Sequence, residues 1–193
     1  MNRHVNSIAD RLSLRPPQRR SLEILDRLVE VAPPRKDADP AALLEVIRSE
    51  LPSVTDFERE FPSVCFALAT GVGKTRLMGA FISYLHLAHG ISNYDKLITD
   101  LSERNHPKYV FRGIAEFATD PPEVITGDTY EARAGSLFDA YVRCKINIFN
   151  ISKINAEVRG GKSPRIKRLS EYIGQSYFDY LAGLPDLVLL MDE

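Results

Sequence analysis

The sequence predicts an α/β protein in which a parallel sheet is flanked by helices and follows a helical N-terminal segment. Two observations predict this class. Apolar runs at 64–68 and 187–191 are typical of strands buried on both faces, and 146–151 is a further strand candidate. Segments with apolar residues at helical spacing separate these runs, as the long connections between parallel strands require.

The length and composition are those of a folded globular domain. A chain of 193 residues is long enough for one sizeable core, and its 44% hydrophobic and 26% charged residues exclude disordered, collagenous and membrane-spanning classes. The net charge of -1 means that a nucleic-acid site has to come from a local cluster of charge. Cys65 and Cys144 lack metal-ligand spacing, and the N-terminus has no apolar signal, so we expect a cytoplasmic protein.

The first sixty residues predict helices. Apolar residues repeat at helical spacing from Leu22 to Val31, and a stretch with two prolines and three charges follows at 32–38. Asp39 is suited to cap a second helix and Pro40 to open it. We therefore expect a helical segment over 1–60 and a second domain over 61–193. The second helix should turn inward Leu43, Leu44, Ile47 and Leu51.

A glycine loop follows the first apolar run. The strand predicted at 64–68 leads into Thr-Gly-Val-Gly-Lys-Thr, and a helix with apolar spacing follows as far as Gly90. Small residues in such a loop let backbone amides approach a phosphate, and the helix that follows adds the positive end of its dipole. We therefore predict a nucleotide site formed by Thr70, Gly71, Val72, Gly73, Lys74 and Thr75.

The chain downstream supplies further elements and a carboxylate pair. Weaker strand candidates lie at 109–111 and 124–125, and helical spacing recurs at 136–144 and 165–180. The final apolar run, 187–191, is followed by Asp192 and Glu193. A buried strand that delivers a carboxylate beside a phosphate loop can hold magnesium there, whereas the pair by itself also fits a solvated strand end.

Three segments resemble motifs of superfamily 2 helicases and translocases. Residues 68–75, LATGVGKT, resemble their motif I, with Leu68 where the general phosphate-loop pattern has glycine. Residues 187–193, LVLLMDE, resemble the Walker B strand, and residues 14–25, LRPPQRRSLEIL, resemble the Q-motif region. Residues 14–193 together resemble the first RecA-like domain of DEAD/DEAH-type proteins, most of all the restriction subunit of type III restriction-modification enzymes.

This resemblance implies an incomplete RecA-like P-loop domain that uses ATP and Mg²⁺. Lys74 would stabilise phosphate charge, Thr75 and Asp192 would hold the magnesium, and Glu193 would activate the attacking water. Gln18 would contact the adenine edge, since an amide presents both a donor and an acceptor; the alternative is an ordinary surface glutamine. The implied partners are double-stranded DNA and a modification (methyltransferase) subunit, in a bacterial cytoplasm without contact to a membrane.

A basic segment follows the strand candidate at 146–151. Its cations surround Gly160 and Gly161, and such a stretch could follow a nucleic-acid backbone. A solvated helix start is the alternative, since runs of charge usually have that role. The candidate contacts are Lys153, Arg159, Lys162, Arg165, Lys167 and Arg168.

The sequence departs from the family pattern in two places. The family follows the phosphate-loop helix with an apolar strand, but residues 94–101 read as helix, so we expect an internal deletion, or a sequencing gap, to have removed that strand between Asn93 and Tyr94. At the end of the chain, motif III and the second lobe with its catalytic arginines are missing. We therefore expect a truncated lobe with little ATPase activity alone, because such an arginine contributes roughly a thousandfold or more in rate.

Three functions remain open from the sequence. The first is the ATP-binding lobe of a DNA helicase or translocase, and the second is a non-catalytic fragment of a broken gene that at most binds nucleotide or DNA. The third is a P-loop kinase or other small NTPase, which the Asp192–Glu193 pair and Leu68 disfavour.

Overall fold

A computed structural model describes residues 2–33, 35, 37–91, 93–96, 104–105, 109–126, 129–130, 144–148, 167 and 175–190. The chain forms two compact units, Met1–Tyr84 and Leu85–Glu193. The division falls inside a helix, and the boundary predicted near residue 60 stays a prediction.

Four helices build the first unit. They are α1 (Arg3–Arg11), α2 (Pro16–Val31), α3 (Pro40–Glu50) and α4 (Lys74–His89), of which α4 runs across the division between the units. The Asp39 side chain accepts a hydrogen bond from the Ala41 amide at 3.0 Å, and Pro40 opens α3, as predicted.

One buried cluster of the first unit lies between α2 and α3. Leu28, Ala32, Ile47 and Phe57 form a buried cluster. The predicted inward residues of both helices pack against it, which confirms the helical spacing from which they were inferred. These partly buried neighbours include Ile24, Val31, Leu43, Leu44 and Leu51.

Hydrogen bonds and ion pairs tie α2 to α1 and α3. Arg19 donates to Asn6 at 2.7 Å and to Asp10 at 3.1 Å, both on α1. Arg27 donates from two nitrogens to the two carboxylate oxygens of Glu50 on α3, at 3.0 and 2.7 Å. Such fork-shaped contacts fix the orientation of one helix on another more strictly than a single bond does.

The predicted strand at 64–68 is wrong. These residues enter no strand, and Val64 is 41% exposed, while Phe66 packs its ring 4.9 Å from that of Phe81. An apolar run becomes a strand only when neighbouring strands supply hydrogen-bond partners, and the described sheet consists of four strands between residues 93 and 190. The run therefore reaches the glycine loop as an extended segment without a ladder.

The second unit contains a four-stranded parallel sheet with the order β2–β3–β1–β4. Its strands are β1 (Asn93–Lys96), β2 (Glu123–Thr126), β3 (Lys145–Ile148) and β4 (Leu187–Leu190). The strand predictions at 124–125, 146–148 and 187–190 are confirmed. Residues 149–151 and 191 of the predicted runs lie outside the described residues.

The start of the helix predicted at 94–101 is wrong, because Asn93–Lys96 is a strand inside the sheet. Asn93 pairs with Lys145 of β3 on one side and with Leu187 of β4 on the other. The sheet thus has a strand directly after α4, where we expected one to be missing. A polar sequence such as Asn-Tyr-Asp-Lys carries no strand signal, and the pairing on both sides comes from residues far along the chain.

Two further predictions for the second unit need correction. Residues 109–111 form a turn rather than a strand, with Phe111 buried against Phe117 of the short helix α5 (Glu116–Thr119). Helix α6 spans Tyr177–Gly183, so the predicted helix at 165–180 is interrupted at 175–176 and continues past 180; its residues 165–166 and 168–174 lie outside the described residues. The predicted helix at 136–144 lies outside the described residues except for Cys144.

Aromatic and polar groups share the core of the second unit. Ile125, Tyr130, Tyr177 and Leu181 form a buried cluster, and the Tyr177 hydroxyl donates to the side-chain Oδ1 of the buried Asn147 at 2.6 Å. This bond joins α6 to β3. It also gives the buried Asn147 side chain the hydrogen-bond partner that a buried polar group requires. None of the helices in the described part of the chain is long and apolar enough to cross a membrane.

Candidate nucleotide site

The glycine loop has the backbone shape that its composition predicts. Gly71 has φ +78° and Gly73 has φ +92°, both in the left-handed region that side chains disfavour. The Val72 amide donates to the Ala69 carbonyl at 3.4 Å, so residues 69–72 form a tight turn with glycine at the position that requires positive φ. The loop conformation thus explains both glycines.

Helix α4 begins directly after the loop. The amides of Arg76 and Leu77 donate to the Gly73 carbonyl at 3.1 and 3.2 Å, which makes Gly73 the residue that caps the helix. Lys74 and Thr75 are half-buried in the first turn. The free end of a helix dipole therefore coincides with the lysine and the hydroxyl that a nucleotide site needs. Buried residues of the following turns hold α4 in the first unit: Leu77, Met78, Ala80, Phe81 and Ile82.

Gln18 connects α2 to the loop. Its Nε2 donates to the Gly73 carbonyl at 2.9 Å, and its Oε1 accepts from the Arg15 amide at 2.8 Å. The side chain is 2% exposed, so the reading of Gln18 as an ordinary surface residue is wrong. A Cβ added at Gly73 would lie 2.9 Å from Gln18 Nε2. Position 73 therefore requires glycine for lack of space as well as for its positive φ. The adenine contact stays a prediction.

Arg15 is a second contact to the loop, which the sequence did not reveal. Its Nη1 donates to the Gly71 carbonyl at 3.3 Å. The two residues lie far apart in sequence, and neither helical spacing nor a sequence motif predicts their contact. The one available signal was the position of Arg15 directly before the prolines that open α2.

A buried pair links α2 to α4 further along both helices. The Tyr84 hydroxyl donates to Asp26 Oδ1 at 2.6 Å, and both side chains are buried. Burial, and then the Asp26 carboxylate, raise the pKa of Tyr84 above its usual range. The helix that carries Gln18 and the helix that carries Lys74 are thus joined at two points.

Several predicted site residues lie outside the described part of the chain. They are Asp192, Glu193, Lys153, Arg159, Lys162, Arg165 and Arg168. Lys167 is described and exposed, with its Nζ 5.2 Å from the centre of the Phe178 ring. Among the residues that the structure describes, no group of three His, Cys, Asp or Glu side chains could hold a metal ion. Thr75 is therefore the one predicted magnesium ligand whose position is known.

The described residues fit the phosphate part of a nucleotide. Gly71 and Gly73, both with positive φ, leave the backbone at these two positions without a side chain, and a lysine and a threonine follow at the start of a helix. This arrangement supplies backbone donors, a cation and a hydroxyl for bound phosphate and its magnesium.

Comparison with known families identifies the chain. Residues 11–193 match the family described as type III restriction enzyme, res subunit. The chain belongs to this family. The match confirms the resemblance drawn from residues 14–193, since res subunits form a DEAD-like helicase family.

The res-subunit family also sets the wider expectations. It implies a RecA-like P-loop fold, with which the helices and the small parallel sheet are compatible. Its members are in general ATP-dependent enzymes that use ATP and Mg²⁺ and act on DNA. No curated protein and no solved structure matches the chain.

Proposed function

We propose that this res-family chain is the ATP-binding lobe of an enzyme that couples ATP hydrolysis to movement on, or restriction of, double-stranded DNA. The observation that carries the proposal is the glycine loop, in which Gly71 and Gly73 adopt positive φ directly before α4. Membership in the res-subunit family supports ATP, rather than another phosphate ligand, as the occupant.

Each predicted side chain has a role in this proposal. Lys74 and Thr75, in the first turn of α4, would contact the phosphates and the magnesium. Asp192 would share the magnesium, and Glu193 would activate the attacking water. Gln18 would contact the adenine edge; its amide keeps one further N–H and one further lone pair beside the two bonds it makes.

Bound ATP would supply the phosphoryl group, and bound magnesium would supply positive charge that withdraws electrons from it. The protein's own contribution is position: the loop amides and Lys74 would hold the phosphates still and stabilise charge on them. That contribution can be tested by binding alone.

The proposed partners follow from the family. Double-stranded DNA would be the substrate, with the basic segment that includes Lys167 as a contact, and a methyltransferase subunit would be the protein partner in a bacterial cytoplasm. Support for the DNA partner comes from the family, which acts on DNA.

Titration of the purified chain with a fluorescent ATP analogue and Mg²⁺ tests the nucleotide site. We expect Lys74→Ala to raise the Kd at least roughly tenfold, because a charge-assisted bond to phosphate contributes about 1.5–3 kcal/mol. Arg48→Ala is the matched control, since Arg48 is an exposed cation of α3 that pairs with Glu45, and its loss should leave the nucleotide Kd unchanged. Absence of binding by the unchanged protein, or equal binding by the Lys74 variant, would contradict the proposal.

A further inference from the structure

Arg15 contacts the glycine loop but is not among the residues that would bind the nucleotide or the magnesium. We propose that Arg15 is a positioning residue that holds the Gly71 carbonyl toward α2 and so keeps that oxygen away from bound phosphate. The inference rests on the proposed function, because it assumes that the loop binds phosphate. Its evidence is the bond from Arg15 Nη1 to the Gly71 carbonyl at 3.3 Å.

The peptide after Gly71 is a point at which the loop could change shape. Gly71 has φ +78°, a Cβ built there would meet nothing within 4 Å, and glycine populates both signs of φ readily. The turn bond from Val72 to Ala69 is long, at 3.4 Å. If the peptide rotated, the Gly71 carbonyl oxygen could turn toward the anion, and two negatively polarised groups would repel each other.

Arg15 and Gln18 act on neighbouring carbonyls. Gln18 donates to Gly73, Arg15 donates to Gly71, and the Arg15 amide donates to Gln18 Oε1. We call these two side chains and the two carbonyls the carbonyl clasp. Gln18 is almost fully buried, so the clasp is anchored in the interior of the first unit. The carbonyls of both glycines in the Gly-Val-Gly segment are thereby drawn toward the first turn of α2.

The two halves of the clasp differ in importance. The Gly73 carbonyl also accepts the amides of Arg76 and Leu77, so Gln18 is one donor among three. The Gly71 carbonyl has no helical amide among its described contacts, and Arg15 is the donor found there. Loss of Arg15 should therefore leave the Gly71 carbonyl without its donor, whereas loss of the Gln18 amide should leave the Gly73 carbonyl with two donors.

An exposed guanidinium near a phosphate loop could instead bind phosphate directly, and the two roles differ in the protein without ligand. If Arg15 positions the loop, the chemical shifts of the Gly71 and Val72 amides should depend on Arg15 before any anion is present. A direct phosphate contact would leave those amides unchanged until the ligand binds. Amide NMR spectra of the unliganded protein therefore separate the two roles.

The test compares Arg15→Ala with Arg20→Ala, an arginine whose side chain is 73% exposed and whose carboxylate partner is Glu23. We expect Arg15→Ala to shift the unliganded Gly71, Val72 and Gly73 amide signals, and Arg20→Ala to leave them in place. We further expect Arg15→Ala to raise the Kd of both pyrophosphate and ATP about three- to tenfold, as removal of one hydrogen bond would. Affinity for adenosine, which lacks phosphate, should not change.

Each other result has a defined meaning. Unchanged loop signals in Arg15→Ala would overturn the positioning role, and so would an unchanged Kd for pyrophosphate or an equal loss of adenosine affinity. If the unaltered protein bound neither pyrophosphate nor ATP, the proposed function itself would fail. If it bound both and Arg15→Ala bound them equally well, only the inference about Arg15 would fail.

Discussion

Replacement of Tyr84 by phenylalanine tests how strongly α2 and α4 depend on each other. Tyr84 is 0% exposed, and its hydroxyl donates to Asp26 Oδ1 at 2.6 Å, while Asp26 is 6% exposed. Phenylalanine fills the same space apart from one oxygen atom. The substitution therefore removes a donor from a buried carboxylate without creating a large cavity.

The expected loss can be worked from that contact. A hydrogen bond to a charged group contributes about 1.5–3 kcal/mol, and a buried acceptor that loses its donor incurs its desolvation cost as well. We expect Tyr84→Phe to lower the free energy of unfolding by about 2–3 kcal/mol at neutral pH. Chemical denaturation followed by circular dichroism measures the loss.

A neighbouring hydroxyl on the same helix provides the control. Ser83 is buried and donates to the Gly79 carbonyl at 2.7 Å, one turn back in α4. Ser83→Ala removes a neutral bond and places a better helix former there, so its effect should stay within about 1 kcal/mol.

The dependence of stability on alkaline pH provides a second test of Tyr84→Phe. The pKa of Tyr84 is raised by burial and by Asp26, so the folded protein holds this proton more tightly than the unfolded chain does. The stabilisation from Tyr84 is fully present below the unfolded pKa of about 10 and is lost as the pH rises above it, by up to ~1.4 kcal/mol per unit. The stability gap between the two proteins should narrow above about pH 10.

Either of two results would contradict this role of the Tyr84 hydroxyl. One is equal stability of Tyr84→Phe and the unaltered protein at neutral pH. The other is a gap that stays constant as the pH rises well past the ordinary tyrosine pKa, since that would mean the hydroxyl does not titrate differently in the folded state.

Two further predictions concern the loop and the thiols. Gly73→Ala should weaken binding of a fluorescent ATP analogue more than Gly71→Ala, because both force a side chain into positive φ but only at Gly73 does the new Cβ meet Gln18; equal losses would contradict this. Cys65 is exposed, whereas Cys144 is buried with its pKa raised to about 12 by burial. A thiol reagent at neutral pH should therefore label one cysteine in the folded protein, and rapid labelling of both would contradict the described core.

Local signals in the sequence predicted the helices well. Asp39 caps α3, and Gly90, with φ +69°, follows the last residue of α4. Both outcomes depend on residues within one helical turn, so composition and spacing carry the necessary information. The glycine loop belongs to the same class, because its shape is set by two glycines and the helix that follows.

Long-range pairing was beyond the sequence. The apolar run at 64–68 lacks a ladder and the polar run Asn93–Lys96 has two, because a strand forms where other strands offer partners. Within the site, the contacts of Arg15 and Gln18 with the two glycines join residues more than fifty positions apart. No periodicity encodes such contacts, although the sequence pointed to Gln18 and to both glycines for other reasons.

The central place of β1 also has a consequence for synthesis on the ribosome. Its partner β3 begins at Lys145, and its other partner β4 begins at Leu187, roughly ninety residues later than Asn93. At about 5–20 residues per second, β1 would leave the ribosome roughly 5–20 s before β4 is made. An apolar strand left unpaired for that time would invite aggregation. The composition of β1, Asn-Tyr-Asp-Lys, should lower that risk, because its polar side chains favour contact with water.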